Sequence, residues 1–225
     1  MFNNPFPRYP ALMAINDLVF FTNPRSRGRI VRWMLEEVGA SYRTESLDFG
    51  LAMREPAFLA INPMGKVPAL VHGDAVVTEC AAICAYLAEA FPAAMLAPEP
   101  GSVARAAYYR WLFFGAGPLE ASVTNKALGF EAPAERRGMV GYGSFEAVVA
   151  ALEGALEKHP HLCGEQFTAA DVYVGSQIGW GMLFGTLPRT PIFESYFARI
   201  SARPAYLRAQ ALDDALIPPD NDGAA

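Results

Sequence analysis

Three cysteines and three histidines among 225 residues are too few for a disulfide framework, and the cysteines follow no regular spacing. An odd number of scattered thiols suits a reducing compartment, which makes the cytoplasm the expected location. No apolar run approaches the roughly 18 residues that cross a bilayer without Glu, Arg or several glycines interrupting it, so no membrane partner is expected. An excess of basic charge is also missing. Lys and Arg total 18 against 23 Asp and Glu, a formal net charge of −5, and such a chain has no general positive field with which to hold nucleic acid. The first sixteen residues, interrupted by Pro5, Pro7 and Pro10, lack the charged start, apolar stretch and cleavage site of a signal peptide and read as an irregular arm.

What is present is a chain that is 52% hydrophobic, enough to bury the core of one large or two small domains. Leu18-Val19-Phe20-Phe21, bounded by Asp17 and the Asn23-Pro24 turn signal, reads as a buried strand. From Arg29 to Val38, Ile30, Val31, Met34, Leu35 and Val38 recur at helical spacing, and Gly39 supplies the stop. A second strand is expected within 41–49 and a short helix or turn over 56–61. Ala69-Leu70-Val71 and Ala75-Val76-Val77 flank His72-Gly73-Asp74 as a hairpin, and 79–90 reads as a helix with Pro92 just past its end. The order strand, helix, strand, helix, strand, strand, helix predicts one mixed sheet covered by helices. Leu96 to Ser102, with two prolines and a glycine, is the linker candidate. Beyond it, helical stretches over 103–128, 143–158, 169–184 and 191–211 predict an all-α half. The expected organisation is an arm over 1–16, an α/β domain over 17–96, a linker over 97–102, an all-α domain over 103–217 and a tail over 218–225.

Several segments carry more than fold. Thr168-Ala169-Ala170-Asp171, framed by Phe167 and Val172, has the pattern of a capping box with a hydrophobic staple, which makes Asp171 a folding residue. Glu79-Cys80 stands where a strand gives way to a helix, so free amides and the positive end of the helix dipole favour an anion there; an ordinary helix start with a small buried cysteine is the plainer reading. Pro68 opens a strand although proline cannot donate to a ladder, which marks either an edge or a functional backbone. In the loop from Thr22 to Arg29, Ser26 is either a helix cap or a hydroxyl donor, and Thr22 and Asn23 are its rivals. His159, His161 and Cys163 are closely spaced, but no fourth ligand is evident and no metal is expected. Cys80 and Cys84 lie one helical turn apart, without the two-residue spacing of a redox pair, and suit packing.

Asn62-Pro63-Met64-Gly65-Lys66-Val67-Pro68-Ala69-Leu70, then Thr78-Glu79-Cys80-Ala81-Ala82-Ile83, then the capping box resemble, in this order and spacing, a cytosolic glutathione S-transferase. The resemblance covers residues 18–211. It implies a thioredoxin-like domain of order βαβαββα followed by an all-α domain. It implies a cis Val67–Pro68 bond, with the Val67 backbone pairing with the cysteinyl part of glutathione. Glu79 would hold the α-amino group of the γ-glutamyl moiety, the Cys80 amide its carboxylate, and Lys66 the glycyl end. The family usually has serine where Cys80 stands. With neither cysteine nor tyrosine in the 22–29 loop, the resemblance is to a serine-type, bacterial-like member in which Ser26 activates the glutathione sulfur. Tyr108 and Trp111 would line a hydrophobic pocket for the electrophile. Glutathione enters as co-substrate with no further cofactor, and two chains would pair as a homodimer. The same fold also serves glutathione-dependent peroxide or disulfide reduction, or non-catalytic binding and assembly.

Overall fold

The computed structural model describes residues 18–217; the arm and the tail expected at the two ends lie outside the described residues. β1 (Leu18–Thr22) is buried along its whole length, as a short apolar run between turn signals must be when both faces of a sheet are covered. α1 (Gly28–Val38) follows, and it ends at Gly39, whose φ of 65° lets its amide close on the Leu35 carbonyl. β2 (Tyr42–Ser46) then runs parallel to β1. α2 (Pro56–Leu59) is a single turn with proline at its start. β3 (Ala69–His72) and β4 (Ala75–Thr78) form the expected hairpin, with Gly73 at φ 58°, and α3 (Cys80–Ala90) leaves the end of β4.

The sheet has the order β2-β1-β3-β4, with β3 antiparallel to both of its neighbours. This is the thioredoxin-like arrangement that the sequence order predicts. Period-two alternation divides β1 between the two faces. Val19 and Phe21 join Met53, Phe58, Ile61, Ala69 and Val71 in one core, and Phe20 faces the other way, edge-on to Tyr42 and beneath the Arg32 guanidinium.

The chain forms two compact units that divide inside α3, one made of 18–83 with 204–217 and the other of 84–203. The return of the chain to the first unit is α9 (Pro204–Asp214), which lies along α1. Buried Asp213 accepts from Arg32 Nε at 2.7 Å, Tyr206 sits edge-on to Trp33 at 4.9 Å between ring centroids, and Arg208 Nε reaches Glu36 at 3.0 Å.

The second unit is helical. α4 (Val103–Phe114) starts at Ser102, whose hydroxyl accepts from the Arg105 amide. The stretch expected to continue to 128 is interrupted by a π-turn over Gly115–Leu119, then resumes as α5 (Glu120–Ala127). Pro118 removes an amide there, and a Cβ on Gly115 would sit 2.8 Å from the Tyr173 ring. α6 (Phe145–Leu156), α7 (Ala169–Phe184) and α8 (Pro191–Ser201) complete the unit. The helix expected over 191–211 is therefore two helices, α8 and α9, parted where Pro204 cannot donate back into the preceding turn. No helix among the described residues is long and apolar enough to cross a membrane.

Candidate functional site

The register of the sheet brings three of the sequence-selected segments to one end. Phe21 of β1 pairs with Ala69 of β3, and Ala69 pairs with Thr78 of β4, so these residues form a row across the sheet. The loop after Thr22, the Val67–Pro68 segment and the Glu79–Cys80 junction all lie immediately beyond that row. Cys80 Sγ, 3.5 Å from the Arg27 carbonyl oxygen, ties the first of these segments to the last.

The Val67–Pro68 peptide bond is cis, as the resemblance implies. The turn before it is organised by buried Asn62. Its Nδ2 donates to the Lys66 carbonyl at 2.7 Å, its Oδ1 accepts from the Met64 amide at 3.1 Å, and its own carbonyl accepts from the Gly65 amide. Gly65 has φ 60°, and a Cβ there would stand 2.8 Å from the Met53 carbonyl oxygen, so only glycine fits. Val67 is half-buried against the sheet core, while the Lys66 side chain is exposed.

Glu79 is exposed and has φ 68°, a left-handed conformation that costs a non-glycine residue about 1–3 kcal/mol and persists where surrounding structure enforces it. Nothing in the sequence marks this backbone; glutamate has no preference for positive φ. The conformation places Glu79 just ahead of the first turn of α3, where the amides have no partner within the helix. Cys80 opens that turn and is itself buried.

The β1–α1 loop is a closed set of hydrogen bonds. The Ser26 hydroxyl donates to the Asn23 carbonyl at 2.7 Å and accepts from the Gly28 amide at 2.9 Å. Asn23 Oδ1 accepts from the Arg25 amide and Asn23 Nδ2 donates to the Leu47 carbonyl, both at 2.9 Å, which anchors the loop to the end of β2. Thr22 is fully buried, and a Cβ on Gly28 would fall 1.9 Å from its Oγ1, so the helix can start here only with glycine. Of the three hydroxyl or amide side chains considered for the sulfur, Ser26 is the least enclosed.

The aromatic cluster on α4 divides by face. Tyr108 and Trp111, expected to line a pocket, are 0% and 2% exposed and pack into the helical unit, whereas Tyr109 and Phe113 are 43% and 74% exposed. Burial pushes the Tyr108 hydroxyl above its ordinary value. Asp171 is structural, but in a wider role than a cap. Besides completing the capping box with Thr168, it accepts from the Leu162 amide and the Tyr196 hydroxyl, each at 2.9 Å. Burial pushes its carboxyl up, while those donors pull it back. Cys163 is likewise pushed up to about 11 by burial. Among the described residues, no three His, Cys, Asp or Glu side chains are grouped to hold a metal.

Comparison with known proteins agrees with this fold. Residues 16–89 match the glutathione S-transferase N-terminal domain. The disulfide-bond oxidoreductase YfcG of Escherichia coli K12 is 31% identical over 219 residues, covering 88% of this chain and 97% of that protein. Glutathione S-transferase GstA of Escherichia coli O157:H7 is 30% identical over 149 residues, 65% of this chain and 73% of that one. A sphingomonad glutathione S-transferase, solved in complex with glutathione, superposes with a TM-score of 0.70 at 30% identity, covering 87% of this chain and 98% of the other. The chain belongs to the glutathione S-transferase family.

Proposed function

We propose that the chain is a cytoplasmic glutathione transferase that conjugates the glutathione thiolate to hydrophobic electrophiles, a detoxifying reaction. The observation that carries this reading is the convergence of the Ser26 loop, Val67–Pro68 and the positive-φ Glu79 beyond one row of the sheet. There the Val67 backbone pairs with the cysteinyl unit like an added strand, the Glu79 carboxylate takes the α-amino group, the Cys80 amide takes the γ-glutamyl carboxylate, and Lys66 approaches the glycyl end. A cysteine in place of the family's serine costs a hydroxyl donor at that carboxylate. Ser26 activates the sulfur, as in the serine-type members. Its proton points to the Asn23 carbonyl in the free site; rotating it to a thiolate exchanges a neutral acceptor for an anionic one, a stronger bond. A donor of this kind favours the thiolate of a group that otherwise titrates near 8.5.

The second reading is glutathione-dependent disulfide or peroxide reduction by the same thiolate, favoured by the 88% of this chain that aligns with a disulfide-bond oxidoreductase. Assays with an aryl halide, a glutathione mixed disulfide and an organic hydroperoxide separate the two. Conjugation is expected to dominate, and Ser26→Ala is expected to lower it on the order of 10²-fold while raising the kinetic pKa of bound glutathione and leaving glutathione affinity near normal. Disulfide turnover without conjugation selects the second reading, and retention on glutathione with neither activity selects a binding module. If Thr22→Ala produces the expected pH shift and Ser26→Ala does not, the donor assignment is wrong.

A further inference from the structure

The geometry points to Arg29 as a positioning residue that sets the sulfur-activating loop from the C-terminal helix. This inference rests on the proposed reading of the β1–α1 loop. Arg29 is the second residue of α1, and its side chain is only 17% exposed. Its guanidinium divides its donors between two elements. Nε donates to the Pro24 carbonyl at 2.6 Å, Nη1 donates to Gln210 Oε1, and Nη2 pairs with Asp214 Oδ1 at 2.6 Å. Gln210 and Asp214 lie one turn apart on α9, so one helix face presents two acceptors to one planar fork.

The consequence is local and specific. The peptide unit joining Pro24 to Arg25 is held at both ends, its carbonyl by Arg29 Nε and its amide by Asn23 Oδ1. Asn23 is fixed in turn by the Leu47 carbonyl. Ser26 follows that peptide directly, with its amide and its hydroxyl both directed at the Asn23 carbonyl. The orientation of the Ser26 hydroxyl is therefore set by a frame with one anchor at the end of β2 and the other on α9. A lysine at 29 keeps a charge for Asp214 but has no fork with which to reach Pro24 and both α9 acceptors together.

The test compares Arg29→Lys and Asp214→Asn with the unaltered full-length protein in two measurements, with Ser26→Ala run alongside in the kinetic one. Asp214 is largely exposed, so its substitution leaves the fold intact if Arg29→Lys does not. Hydrogen exchange of the Arg25 and Ser26 amides is expected to speed up about tenfold in Arg29→Lys, and less in Asp214→Asn. Conjugation turnover is expected to fall about tenfold, with a raised kinetic pKa and an unchanged KM for glutathione. Faster exchange with an unaltered pH profile makes Arg29 a purely structural tether and overturns the inference, and so does unaltered exchange. If Arg29→Lys shifts the pH profile and Ser26→Ala does not, the inference stands and the assignment of Ser26 as donor falls.

Discussion

Asp171 shows how much one buried side chain can carry. Its carboxylate serves the amides of Leu162 and Thr168 and the hydroxyls of Thr168 and Tyr196, so replacing it leaves several buried donors without partners at once. Each such group costs about 1–3 kcal/mol, and Asp171→Ala should lower stability by about 3–5 kcal/mol in chemical denaturation. Glutathione affinity of the folded fraction should not change, since Asp171 belongs to the other unit from the proposed site. The helix start at Thr168 was legible because a capping box is written in four adjacent residues. The bonds from Leu162 and Tyr196 were not, because no local pattern announces partners 9 and 25 positions away. Glu79 is the converse case. Its place before a helix was legible, but its positive φ is imposed by the surrounding fold.

At the scale of elements, strands and helices whose signals are local appear where the sequence puts them. α7 spans 169–184, and the hairpin turns at Gly73, because a cap and a turn residue fix those features without help from the rest of the chain. The long helical stretches were overextended. Apolar spacing continues through 103–128 and 191–211, and periodicity alone does not reveal that Gly115, Gly117 and Pro118 allow a π-turn or that Pro204 starts a new helix. Pro118 and Pro204 were the available signals. The return of α9 to α1 was illegible for a different reason: the buried Arg32–Asp213 pair joins residues 181 positions apart.

For the whole molecule, the family resemblance rests on three segments that are individually common, and two of them meet the β1–α1 loop at one end of the sheet. Pairing with a second copy is proposed from the family and from α4, where Tyr109 and Phe113, one helical turn apart, are exposed on one face. Sedimentation velocity should return twice the 24.4 kDa chain mass, and Phe113→Glu should shift it toward the single chain; a monomer without any substitution would remove the pairing. The central claim is that the sheet end holding Glu79 binds glutathione. It is tested most directly by calorimetric titration of the full chain and of Glu79→Gln, which removes the charge facing the ligand's amino group while retaining a side chain of similar size at the positive-φ position. The account predicts one glutathione per chain and binding weakened about tenfold or more in the variant, as loss of a charge-assisted bond requires. Equal affinity in the two proteins, or no heat from the unaltered chain, would contradict it.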